Sequence, residues 1–99
     1  MTTSDDALET TTVRLTGDLD MESAGDVLAT ILASGSAATV LADLSGIEFL
    51  DSSGLRVLME ARSVLEANGR TLVIVNPAGP VRRVLQVTGM GEQFGVDVS

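Results

Sequence analysis

The sequence contains no cysteine and no histidine. Lacking cysteine, it has no disulfide, no thiolate nucleophile and no cysteine-ligated zinc. Lacking histidine, it cannot assemble a Ser-His-Asp triad, an imidazole general base or a histidine metal site from its own residues. Lysine is missing too: the six basic residues are all arginines, at positions 14, 56, 62, 70, 82 and 83, which removes the P-loop lysine and the Schiff-base lysine. No apolar run approaches the length of a membrane span. Residues 1–6 are polar and acidic where a secretory signal is basic and then apolar. These absences lead to the expectation of a soluble cytoplasmic protein that is not an enzyme and holds no metal and no cofactor.

What is present suffices for one folded unit. Ninety-nine residues, 44% of them hydrophobic and 20% charged, read as a single domain over residues 1–99 with one core and few long loops. Fourteen acidic residues against six basic ones give a formal charge of -8. That balance opposes binding to nucleic acid or to an anionic membrane and leaves neutral or basic partners. The acid is weighted toward the first half: seven acidic residues and only Arg14 fall within residues 1–26, whereas residues 70–99 are slightly basic.

The hydropathy pattern alternates between strand and helix. Thr12-Val13-Arg14-Leu15-Thr16 alternates polar and apolar with β-branched enrichment, a strand with one covered face that Gly17 ends. A short preceding strand at residues 7–10 pairs with it as a hairpin. Ala24, Val27, Leu28, Ile31 and Leu32 make a helical stripe stopped by Ser34-Gly35-Ser36. Residues 39–44 form a short apolar run of the kind buried on both faces, and Ser45-Gly46 follows as a turn. After Ile47-Glu48-Phe49-Leu50, a second helix carries Leu55, Leu58, Ala61 and Leu65 on one face and ends at Asn68-Gly69. Residues 71–75 are a second buried strand. Pro80 suits the first turn of a third helix with Val81, Val84, Leu85 and Thr88 in its stripe, closed by Gly89. Residues 94–98 alternate again as a last strand. The order predicts an α/β fold: a mainly parallel sheet of four or five strands with an N-terminal antiparallel portion.

Functional groups in such sheets gather at the carboxyl ends of strands and the first turns of helices. Two segments qualify, Gly17-Asp18-Leu19-Asp20 and Asp51-Ser52-Ser53-Gly54. A helix start leaves about four backbone N–H groups without intrahelical partners, carrying partial positive charge. A serine there caps the helix, or, if phosphorylated, places about two negative charges where those donors hold them. Asp18, Asp20, Asp43 and Asp51 are expected to share that rim, so a phosphate would repel a partner docked on it. Asp and Ser are also among the commonest caps, and Asp18 and Asp20 equally suit solvated turn chemistry. Ile47, Phe49 and Leu50 read as core or loop anchors. The glycines of residues 89–95 miss the dinucleotide spacing and follow a helix instead of opening one.

Taken in order, Leu15-Thr16-Gly17-Asp18-Leu19-Asp20, Leu41-Ala42-Asp43-Leu44-Ser45-Gly46, Phe49-Leu50-Asp51-Ser52-Ser53-Gly54-Leu55 and Val81-Arg82-Arg83-Val84-Leu85 with Gly89 resemble a STAS domain. More narrowly, the chain resembles the stand-alone bacterial anti-sigma factor antagonists, over a core of about residues 11–98, without a fused transporter or sensor segment. The resemblance implies helices packed mainly on one face of the sheet. It also implies partner switching. The unmodified protein binds an anti-sigma factor that is also a serine kinase, thereby freeing a sigma factor for transcription. The kinase uses ATP to phosphorylate the first serine of the motif, here Ser52, and the antagonist lets go; a PP2C-type phosphatase restores it. Carried over by position, Ser52 is the phosphoacceptor, and Asp18, Asp20, Asp51, Ser52, Ser53, Gly54 and Arg56 form the partner-binding surface of a protein that is a monomer when free. The alternative within the fold is a constitutive scaffold or lipid-transport accessory subunit, in which Ser52 is only a cap.

Overall fold

The computed structural model describes residues 9–89. Strands and helices alternate through them: β1 (Thr10–Leu19), α1 (Ala24–Leu32), β2 (Thr39–Leu50), α2 (Ser52–Ala67), β3 (Thr71–Val75) and α3 (Gly79–Thr88). The strands make one sheet in the order β1-β2-β3, parallel throughout the described residues. Thr10 opens β1, whereas residues 7 and 8 of the expected N-terminal hairpin and the strand expected at residues 94–98 lie outside the described residues.

One core joins all six elements. Leu15 and Leu19 of β1, Val40, Ala42, Leu44, Ile47 and Leu50 of β2, and Leu72 and Ile74 of β3 form its sheet side. The helices close over it with Val27 and Ile31, with Val57, Leu58, Ala61 and Leu65, and with Val81 and Leu85. Each such leucine or isoleucine contributes on the order of 1.5–3 kcal/mol when buried. All three helices send their buried side chains into this one cluster, as expected for helices on one face. The expectation that β2 and β3 are buried on both faces is corrected: Leu41, Val73 and Val75 are only half-buried, so among the described residues each strand has one deep face.

Gly17 does not end β1, and Ser45-Gly46 is not a turn between strands. Both lie within continuous strands, at irregularities of the β1–β2 pairing. Arg14 stands opposite Asp43 and Thr16 opposite Gly46; Gly17 stands opposite Ile47 and Asp18 opposite Phe49. At each shift β2 carries one residue more than β1, a β-bulge. Gly17, with φ +89°, supplies the left-handed backbone one of these bends needs. The consequence is a change of period: inward positions of β2 run 40, 42, 44, then 47 and 50.

Among the described residues β3 pairs only with residues 39–43 of β2. Beyond Asp43, β1 and β2 continue as a two-stranded arm, residues 44–50 of β2 adding roughly 20 Å at about 3.3 Å per residue. The start of α2 sits at the far end of that arm.

Candidate functional site: the start of helix α2

Asp51 leaves β2 extended, with φ -114° and ψ -172°, and its carboxylate accepts a hydrogen bond from the Gly54 N–H at 3.0 Å. Such a cap contributes about 1 kcal/mol. The Asp51 N–H donates to the Leu19 carbonyl at 3.2 Å, and the Leu55 N–H donates to the Asp51 carbonyl at 3.0 Å. One residue thereby ties the end of β1 to the first turn of α2. Gly54 completes the joint. A Cβ there would run into the Leu19 carbonyl oxygen and stand 2.6 Å from Leu50 Cδ1, so only glycine lets the helix come this close. Leu19 and Leu50 are themselves buried, which seats the helix start on the core.

Because Asp51 takes the cap, Ser52 is released from it. Ser52 occupies the first helical position and is exposed, and among the described residues its hydroxyl makes no hydrogen bond. Ser53 beside it is half-buried. Arg56, one turn further along α2, is exposed. Ser52 and Arg56 line an open groove of about 520 Å³ between α2 and the end of α3, walled by Leu55, Met59 and Thr88. Among the described residues no base is hydrogen-bonded to the Ser52 hydroxyl.

The turn after β1 lies against the same joint through Leu19. Asp20 is committed to architecture: its carboxylate accepts the N–H groups of Glu22 at 3.0 Å and Ser23 at 3.1 Å. Asp18 is exposed and stands opposite Phe49 in the register. Asp51 directly precedes Ser52, and Asp18 and Asp20 flank Leu19, whose carbonyl accepts the Asp51 N–H. Asp43, expected on the same rim, instead stands opposite Val75, where β3 ends, at the near end of the arm. There it serves a bulge: the N–H of Ser45, at 2.9 Å, holds its carboxyl below the ordinary range, helped by the Ser45 hydroxyl, Arg14 and Asn76.

Two apolar residues at this end depart from expectation or escaped it. Ile47 and Leu50 are buried as core anchors, but Phe49 is 51% exposed and Met21 is 77% exposed. In an unbroken strand Ile47 and Phe49 share a face; the extra residue at Glu48 turns Phe49 outward. The groove also went unread, because Leu55 belongs to the expected buried stripe yet is half-buried, while Val57 takes a core place. The signal for it was a second stripe on α2, at 52, 55, 56, 59 and 63, beside the buried one. Among the described residues no group of three or more acidic side chains is placed to hold a metal ion, and no helix is long and apolar enough to cross a membrane.

Residues 2–96 match the family model described as Mlab, STAS domain. Among curated proteins the chain is similar to the anti-sigma F factor antagonist of Lysinibacillus sphaericus, 34% identical over 86 residues covering 84% of this chain and 74% of that protein. Among solved structures it is similar to the anti-sigma factor antagonist SpoIIAA in its unphosphorylated form, with a TM-score of 0.69 and 31% identity over 85% of this chain and 76% of that one. The Bacillus cell fate determinant SpoIIAA in the phosphorylated form matches with a TM-score of 0.62 and 29% identity, over 83% and 78% of the two chains.

Proposed function

The chain belongs to the STAS domain family, and from that premise we propose that it is an anti-sigma factor antagonist whose binding is switched by phosphorylation of Ser52. One observation carries the reading: Asp51 performs the cap, so Ser52 stands exposed at a rigid helix start with its hydroxyl unengaged. That the related SpoIIAA has solved unphosphorylated and phosphorylated forms supports the same switch.

In the unmodified state the end of the arm is the docking surface for an anti-sigma factor with serine kinase activity. Phe49 and Met21 offer exposed apolar area, and Asp18, Asp20 and Asp51 with Ser52, Ser53, Gly54 and Arg56 frame it. In the kinase the Ser52 Oγ attacks the γ-phosphorus of ATP. The Oγ–P bond forms as the bond to the bridging oxygen breaks, ADP leaves, and the hydroxyl proton passes to a base of the kinase. The product adds about two negative charges beside Asp51, on a chain whose formal charge is already -8. Like charges brought together in a desolvated interface cost several kcal/mol, about two or three decades of affinity. A PP2C-type phosphatase hydrolyses the ester and returns the hydroxyl. In this reading residues 1–99 act as a single, cytoplasmic domain, monomeric when free, and the catalytic residues belong to the partners.

Incubation with the cognate kinase and ATP, followed by mass spectrometry, is expected to place one phosphate on Ser52 and none on a Ser52→Ala variant. Phosphate on another residue overturns the site. A chain that binds its partner equally well before and after modification is a constitutive subunit instead.

A further inference from the structure

Resting on Ser52 as the phosphoacceptor, we propose that Arg56 is the intramolecular counter-charge of the phosphate: once Ser52 is modified, the Arg56 guanidinium turns onto it and is withdrawn from the partner-facing surface. Ser52 and Arg56 are four residues apart on α2, on one side of the helix, and line the same groove. Helical side chains lean toward the N-terminus, which points the long arginine back at Ser52. Among the described residues Arg56 has no ion pair, whereas Arg62 further along α2 is paired with Glu66 at 3.2 Å. The guanidinium is available, and its planar fork matches phosphate oxygens two at a time.

The competing groups are weaker. Glu60, also in the groove, is four residues after Arg56, yet among the described residues the two form no ion pair, and a phosphate at position 52 followed by Arg56 has the more favourable order. Asp51 is occupied by the Gly54 N–H, and Asp20 by the N–H groups of Glu22 and Ser23. The switch therefore changes two things with one group: it adds negative charge to the rim and removes the positive charge of Arg56 from it.

The test uses the full chain with phosphoserine incorporated at position 52 during translation, so that no kinase is needed. The phosphate is titrated by ³¹P NMR. Arg56→Gln is expected to raise the midpoint by about 0.5 unit, because loss of the cation favours the monoanion. Arg56→Lys is expected to restore most of that shift, and Arg62→Gln, the same change in net charge elsewhere on α2, to leave the midpoint within ~0.1 unit. An unmoved midpoint in Arg56→Gln, or an equal shift from Arg62→Gln, overturns the pairing. A kinase that ignores Ser52 would defeat the phosphorylation reading and leave this titration unaffected.

Discussion

Ser23 and Ser52 both stand at helix starts close to an aspartate, one before α1 and the other opening α2. The Ser23 hydroxyl is used up. It accepts the Asp20 N–H at 3.0 Å and donates to the Asp18 carbonyl at 2.6 Å, while the Ser23 N–H donates to the Asp20 carboxylate. At α2 the aspartate directly before the serine reaches the Gly54 N–H, and the serine is left over. The chemistry of the two pairs is the same; the spacing between acid and serine differs, and with it which side chain satisfies the backbone. A serine at a helix start is thus left unengaged when another residue has already done the capping.

The largest expected effect concerns the seat that makes this division possible. Gly54→Ala is expected to cost about 2–3 kcal/mol in urea unfolding, because the added methyl meets the Leu19 backbone carbonyl, which cannot swing aside, as well as Leu50 Cδ1. An unchanged midpoint would mean that α2 does not rest on β1 as described. Next come the two serines themselves. Ser23→Ala should lower stability by about 1 kcal/mol, since it leaves the partly buried Asp20 N–H without its partner, and should leave phosphate incorporation intact. Ser52→Ala should do the reverse, staying within about 0.5 kcal/mol of the parent while losing all phosphate. If both variants lose stability equally, the contrast between them collapses.

The smallest effect is expected at Asp43, a carboxylate with partners at the other end of the arm. Its folded-state pKa lies below the ordinary value, so its contribution is present above the ordinary carboxylate range and is lost as pH falls through the lowered value. Asp43→Asn should therefore be slightly less stable than the parent at pH 6, and the difference should shrink as the pH falls below the ordinary carboxylate range, with phosphorylation unaffected. A difference that grows on acidification would contradict the assigned hydrogen bonds.

Much of this is legible in the sequence. The stripes of α1 and α3, Pro80 in the first turn of α3 and the left-handed Gly89 at its end follow from local rules, because capping and period depend on residues within one or two turns. So does Asp51-Ser52-Ser53-Gly54 as a helix start. The strands were harder. β2 resists a reading by simple alternation because its partner dictates the two bulges, and each extra residue reverses which side chains face the core. That is why Phe49 passed for an anchor and why Asp43 was expected on the rim of Ser52.

The sequence by itself determined the chemical repertoire and the partition into elements: a chain without histidine, cysteine or lysine, acidic in its first half, with a serine pair opening its second helix. These depend on side-chain identity and short-range spacing alone. Only the tertiary structure decided which serine is free, which acids surround it and which apolar residues are left in solvent. Those outcomes turn on contacts of β1 with β2 and with the start of α2, between residues about thirty positions apart, such as Asp51 on Leu19. No local pattern encodes the register in which such strands meet.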